Sequence, residues 1–278
     1  MTRTPANPDV LAFYQSQPFN MAGSPRAMAA EIRSRDPILE YPQLVPLLGP
    51  GTAVLDVGCG TGWFGNALAY HYDCPIVGID FNPVAVEFAR RTAAALGVES
   101  TFHPADLFLW EPEAKFDVVV SLGVLHHTND CEAALDRLLR VFVRPRGHAL
   151  VGLYHRYGRR PFLEHFDRLR SAGASEAQLY EEFRTLFGSQ PVDADHCRSW
   201  FRDQVLHPHE TQHTLRELLP VIQRSGAAVV STSLNGFQPV TDWTSVLDAE
   251  PAQETVGLAR LAARRYFPGF FVVLLKQM

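Results

Sequence analysis

The stretch Val54-Leu55-Asp56-Val57-Gly58-Cys59-Gly60-Thr61-Gly62 constrains this chain more than any other. A short apolar run carrying one acidic residue gives way to glycines at alternate positions, and a helical pattern opens at Trp63. That order describes a buried strand that turns sharply into a helix whose first N–H groups stay open. Glycine lets the backbone take unusual dihedrals and lets a ligand approach without meeting a Cβ. Unpaired N–H groups at such a turn attract an anionic or polar ligand group. The reading is a site for a nucleotide-like cofactor, although a tight turn without a ligand uses the same residues.

Gly60-Thr61-Gly62-Trp63-Phe64-Gly65 also satisfies the dinucleotide fingerprint G-x-G-x-x-G, with Asp80 following at about 20 residues. The register opposes that reading. The strand ends at Val57 and the first turn glycine is Gly58, so the pattern is Asp56-x-Gly58-x-Gly60-x-Gly62.

Strand and helix signals alternate from Ala53 to Tyr154. Pro75 to Asp80 reads as a short buried strand, Asn82-Pro83 as a helix start, and Gly97 as its stop. Strands follow near Ser100 to His103, at Phe116 to Ser121 and at Gly147 to Tyr154, with a helix through Leu135, Leu138 and Leu139 capped by Asn129 or Asp130. Further on come a helix at Leu215 to Arg224 and strands at Ala228 to Ser233 and Phe270 to Leu275. Such alternation predicts an α/β fold with a doubly wound, mostly parallel sheet, which binds ligands beyond the carboxyl ends of its strands. Gly58, Asp80, Asp106, Ser121 and Tyr154 all fall there. Residues 1–50, 156–213 and 237–267 stand outside the alternation and read as helical additions.

In the Asp56-x-Gly58-x-Gly60-x-Gly62 register the chain resembles the class I S-adenosylmethionine-dependent methyltransferases. The resemblance covers residues 50–155 in motif and 214–278 in layout only. It implies a Rossmann-like seven-stranded sheet with the last strand antiparallel, S-adenosylmethionine as cofactor, and helical cap insertions. It divides the chain into a lid at 1–50, a cofactor-binding core at 51–155, a cap at 156–213 and the rest of the core at 214–278, with a helical insertion at 237–267. It implies that Asp56, Gly58, Cys59, Gly60 and Gly62 hold the methionine part of the cofactor. Asp80, followed by Phe81, matches the position that binds the ribose hydroxyls, and a carboxylate accepts both bonds of a diol. Asp106, with Leu107, matches the adenine-contacting position. Ser121-Leu122-Gly123-Val124-Leu125-His126-His127 matches the fourth motif, at the floor of the transfer site. Phe13, Tyr14 and Phe19 suit a lid, with Tyr14 placed over the cofactor; plain packing is the alternative.

His209-Glu210-Thr211-Gln212-His213 spells H-E-x-x-H, a zinc-protease motif that works only on one continuous helix. Thr214-x-x-Glu217 reads as a capping box, so the helix should begin after His213 and leave His209 in a loop. No metal is assigned, although a metal held by these histidines is an alternative. Histidine near its ordinary pKa takes up a proton from an attacking group. The catalytic candidates are therefore His126, Tyr154, His155, His209 and Glu210; loop satisfaction is the plain reading of His207, His209, Glu210 and His213. Arg156, Arg159 and Arg160 read as an anion clamp or as a solvated turn.

Composition sets the outer limits. With 278 residues and a hydrophobic fraction of 46%, the chain builds one large domain or a domain with a cap. A net charge of −5 without a basic run disfavours a nucleic-acid partner. No apolar run reaches the roughly 18 residues of a membrane span, and the N-terminus lacks an apolar h-region. The scattered cysteines Cys59, Cys74, Cys131 and Cys197 suit free thiols in the cytoplasm. The expected function is methyl transfer to an O, N or S atom of a small polar molecule. An RNA or protein acceptor is the alternative, and an NAD(P)-dependent oxidoreductase a further one. The oligomeric state cannot be read.

Overall fold

The computed structural model describes residues 7–16, 18–19, 23–188 and 194–278. The parts of the expected lid and cap at 1–6, 17, 20–22 and 189–193 lie outside the described residues. Seven strands form one sheet: β1 (Val54–Val57), β2 (Ile76–Asp80), β3 (Ser100–Pro104), β4 (Phe116–Leu122), β5 (Val143–Tyr154), β6 (Ala227–Thr232) and β7 (Phe270–Gln277). Their order is β3-β2-β1-β4-β5-β7-β6. Strand β7 alone runs antiparallel to its neighbours, as the resemblance implies. Chain direction away from the centre reverses between β1 and β4, which opens a crevice at their carboxyl ends.

Helices cover both faces. Helices α1 (Pro8–Ser16) and α2 (Pro25–Ser34) precede the sheet; α3 (Trp63–Tyr72), α4 (Pro83–Leu96) and α5 (Cys131–Arg137) are its crossovers. The apolar faces of α2, α3 and α4, through Ile32, Leu68 and Phe88, close on one side of β1, β4 and β5. Helices α5 and α9 (Leu215–Arg224), reached after a cap of α6 (Arg156–Ser171), α7 (Glu176–Phe187) and α8 (Ala194–Val205), cover the other side through Leu135, Leu218 and Ile222. Burying each such side chain contributes about 1.5–3 kcal/mol.

Local chemistry sets the helix ends. Asn82 accepts a hydrogen bond from Val84 N–H, Pro83 occupies the first turn, and Gly97 ends α4 with φ of 76°. Thr214 and Glu217 form the reciprocal capping box, so α9 starts at Leu215 and the H-E-x-x-H pattern lies in the loop between α8 and α9.

The cap has an aromatic core of its own, built on Phe162, Phe166, Phe183 and Phe201. Helix α11 (Ala252–Ala262), which follows the short α10 (Trp243–Asp248), packs against α6. Strand β5 starts four residues before the expected Gly147. Arg144, Pro145 and Arg146 are exposed there, so the extension carries no apolar signal. The segment after Tyr154 is no turn: His155 caps α6 by accepting from Gly158 N–H.

Candidate active site

The crevice deepens into a cavity of about 410 Å³, roofed by α1 and by α8 of the cap. One end is the glycine turn. Gly58 takes φ of 73°, and a Cβ there would sit 2.3 Å from Val124, so close packing requires this glycine. Gly60, at φ of 50°, is different: a Cβ would meet nothing within 4 Å, because the residue lines the cavity.

Asp80 closes the turn from β2. Its Oδ2 accepts from Gly60 N–H at 2.9 Å and its Oδ1 from Asn82 N–H at 2.8 Å. Burial outweighs these bonds and raises its pKa to about 6. Asp56 lies beneath, with Oδ2 buried and unpartnered; burial and the charge of Asp80 raise it to about 7. Cys59, Phe81, Leu107 and Leu122 line the same cavity. Asp106 lines it as well and accepts from Phe108 N–H at 2.8 Å.

Tyr14 spans the two ends. Its carbonyl accepts from the Asn82 side chain at 2.9 Å, and its hydroxyl donates to Asp203 at 2.6 Å. The far end is built from Tyr154, His127, Trp200, Asp203, Gln204 and Phe270. Nδ1 of His127 donates to the His209 carbonyl at 2.9 Å, which leaves Nε2 as a bare lone pair. Burial lowers His127 to about 4, so it is neutral at pH 7. The Tyr154 hydroxyl accepts from the Gln204 amide at 2.5 Å.

Several candidates from the sequence lie off this wall. Ser121 is wholly buried and donates to the Val57 carbonyl, because its side chain points into the sheet. His126 is the neighbour of the histidine that lines the cavity: it stacks behind Tyr154 with centroids 4.1 Å apart and accepts from Tyr154 N–H. His155 is locked between Gly158 N–H and Glu250, whose carboxylate also accepts from the first N–H groups of α9. His209 ties the Thr128 carbonyl to its loop. Glu210 binds Arg159 through both oxygens, at 3.0 and 2.7 Å. The arginines form no clamp on the cavity. Arg159 is fully buried in that pair, while Arg156 and Arg160 bond Glu217 and Glu254 at the surface.

Among the described residues one cluster has metal-ligand chemistry. Ligand atoms of His127, Asp203 and His207 lie within 4.8 Å of one another. The hydrogen bonds oppose a metal there. His209 N–H donates to Nδ1 of His207, which puts the ring proton on Nε2, the nitrogen a metal would need.

Residues 48–186, half of the chain, match the model of a family described as a methyltransferase domain. The chain belongs to this methyltransferase family. Similar proteins include phosphoethanolamine N-methyltransferase 1 of Arabidopsis thaliana, 33% identical over 127 residues that are 45% of this chain and 26% of that one. Ajmaline N-methyltransferase of Rauvolfia serpentina is 27% identical over 71% of this chain and 68% of its own. The chain thus spans about a quarter of the first of these relatives. A solved S-adenosylmethionine-dependent methyltransferase from Mesorhizobium loti shares the fold, with a TM-score of 0.51 at 21% identity over 87% of this chain and 99% of that one.

The family match stops at Phe187's neighbour, residue 186, so the far wall on α8 lies beyond it. Trp200, Asp203 and Gln204 escaped the sequence reading for a related reason. Nothing in a charged, amphipathic stretch marks which polar side chains turn inward. His127 was read only as the last residue of the fourth motif, and His126 was taken as the catalytic candidate, because the periodicity of a short 3-10 turn does not separate the two.

Proposed function

We propose that the cavity holds S-adenosylmethionine at its glycine-turn end and a small organic acceptor at its Asp203 end, and that the protein transfers a methyl group between them. The carrying observation is Gly60: its missing Cβ leaves open space beside the partly buried carboxylate of Asp80. That cradle suits the ribose, whose hydroxyls Asp80 would accept, while Asp106 lies on the wall assigned to the base and Asp56 below the turn. When bound, the cofactor supplies an electrophilic methyl on a sulfonium. The protein orients and desolvates: Leu122, Trp200 and Phe270 exclude water, and Tyr14 ties the roof to both ends. His127 Nε2 is the base on the wall, and Tyr154 positions Gln204.

We read residues 1–50 as lid, 51–155 with 214–278 as core, and 156–213 as cap. Four free, buried thiols support a cytoplasmic enzyme. Among the described residues no helix is long and apolar enough to cross a membrane. The cavity, lined by four carboxylates and, among the described residues, by no lysine or arginine, favours a small molecule over RNA.

Calorimetry tests the reading. S-adenosylmethionine and S-adenosylhomocysteine should bind, and NAD should not. Asp80→Ala should weaken S-adenosylhomocysteine by about 1–3 kcal/mol, the cost of hydroxyl donors left without their partner. An unchanged affinity would take Asp80 out of the ribose site. The same titration should depend on pH. Asp80 and Asp56 carry raised pKa values of about 6 and about 7, so the acceptor carboxylates exist above that range and are lost below it. Affinity should fall by about tenfold per pH unit for each proton taken up below those values. A flat profile from pH 8 to pH 5 would show that neither carboxylate meets the ligand.

A further inference from the structure

We infer that the methyl acceptor is a small organic amine, held as its ammonium form by Asp203 within a ring of aromatic side chains, and that anionic acceptors are excluded. This rests on the methyl-transfer reading and narrows its acceptor. Among the described residues the cavity wall carries no lysine and no arginine, but four carboxylates: Asp56, Asp80, Asp106 and Asp203. The first three stand at the ends of β1, β2 and β3, where the cofactor is placed. Asp203 stands apart on α8 and remains for the acceptor.

Asp203 is 6% exposed, and its hydrogen bonds come from neutral groups, the Tyr14 hydroxyl at 2.6 Å and the Gln204 amide at 2.7 Å. His207 beside it is neutral, since burial lowers its pKa to about 3. The guanidinium of Arg159 is taken by both oxygens of Glu210. A buried carboxylate without a counter-ion is costly, and structures normally pair it. Burial raises the pKa of Asp203, the charge of Arg159 opposes that only in part, and among the described residues no lysine or arginine reaches the wall, so a cationic ligand restores the carboxylate and completes the site. Tyr14, Trp200 and Phe270 line the same end, and aromatic faces attract a cation through their quadrupole, while the Tyr154 ring is already covered by Arg159 and His126. An anion placed there would lose its hydration beside a like charge. A ring nitrogen of His127 lies within 4.8 Å of an Asp203 oxygen, so an ammonium bound to Asp203 has a base within its reach for the proton it must lose.

Calorimetry on protein saturated with S-adenosylhomocysteine tests the assignment. The probes are 2-phenylethylamine, tryptamine and N-methylbenzylamine, then the neutral 2-phenylethanol and the anionic phenylacetate and phenyl phosphate, which carry no amine. At least one amine should bind ten times or more tighter than 2-phenylethanol, and neither anion should bind measurably. Asp203→Asn should bring the amine-to-alcohol ratio to within threefold of one. Three results each overturn the proposal: no preferred amine in the wild-type protein, an anion that binds as well as the amines, or a preference that survives Asp203→Asn. The wild-type comparison decides even if the variant misfolds. Failure of S-adenosylhomocysteine itself to bind would instead remove the methyl-transfer reading beneath it.

Discussion

Gly60→Val should leave a folded protein that binds no S-adenosylhomocysteine. Its side chain would enter open cavity, because a Cβ at Gly60 meets nothing within 4 Å. The core is therefore not pushed apart. The positive φ of 50° is unfavourable for a β-branched residue and costs stability on the order of 1–2 kcal/mol, which a domain of this size survives. The branched side chain then occupies the space into which a ligand would press against the turn. Gly58→Val is the contrast: a Cβ 2.3 Å from Val124 collides with the wall of the fold, so that variant should lose structure. Circular dichroism separates the two variants, and calorimetry reads the ligand. Wild-type affinity in Gly60→Val would mean that this glycine serves only the backbone path.

Glu210→Ala should cost the protein more stability than any single surface substitution, without touching the cofactor end. Arg159 is 0% exposed and Glu210 12%, and their two hydrogen bonds at 3.0 and 2.7 Å bind the start of α6 to the loop after α8. Removing one partner strands the other charge indoors, at about 3–5 kcal/mol. At roughly 2–4 °C per kcal/mol for chains of 150–250 residues, the melting temperature should fall by on the order of 10 °C. The double variant Arg159→Met with Glu210→Leu should recover much of that loss, because no lone charge remains. A melting temperature within 2 °C of wild type for Glu210→Ala would show that the pair carries little. The distinction matters for the chemistry, since Glu210 reads in the sequence as a proton acceptor and sits in the structure as the counter-ion of Arg159.

The strand–glycine–helix turn, the order of strands and crossovers, the Thr214 capping box and the acidic residues at the ends of β2 and after β3 were all legible in the sequence. Each depends on residues within a few positions of one another: glycine at a positive φ, Asn or Thr at a helix start, β-branched runs in buried strands. At the far end of the cavity only Tyr14 and Tyr154 were legible. Tyr14, His127, Tyr154, Asp203 and Phe270 come from five separate elements, and only the packing of α1 and α8 over the sheet brings them to one wall. Which of His126 and His127 meets the cavity is decided by how one short turn sits on β5. Whether Arg159 serves a substrate or Glu210 is decided by a contact across 51 positions. A polar side chain looks the same in sequence whether it meets a ligand or a buried partner, because the nearest opposite charge in space, and not its neighbours in the chain, sets where its burial is tolerated.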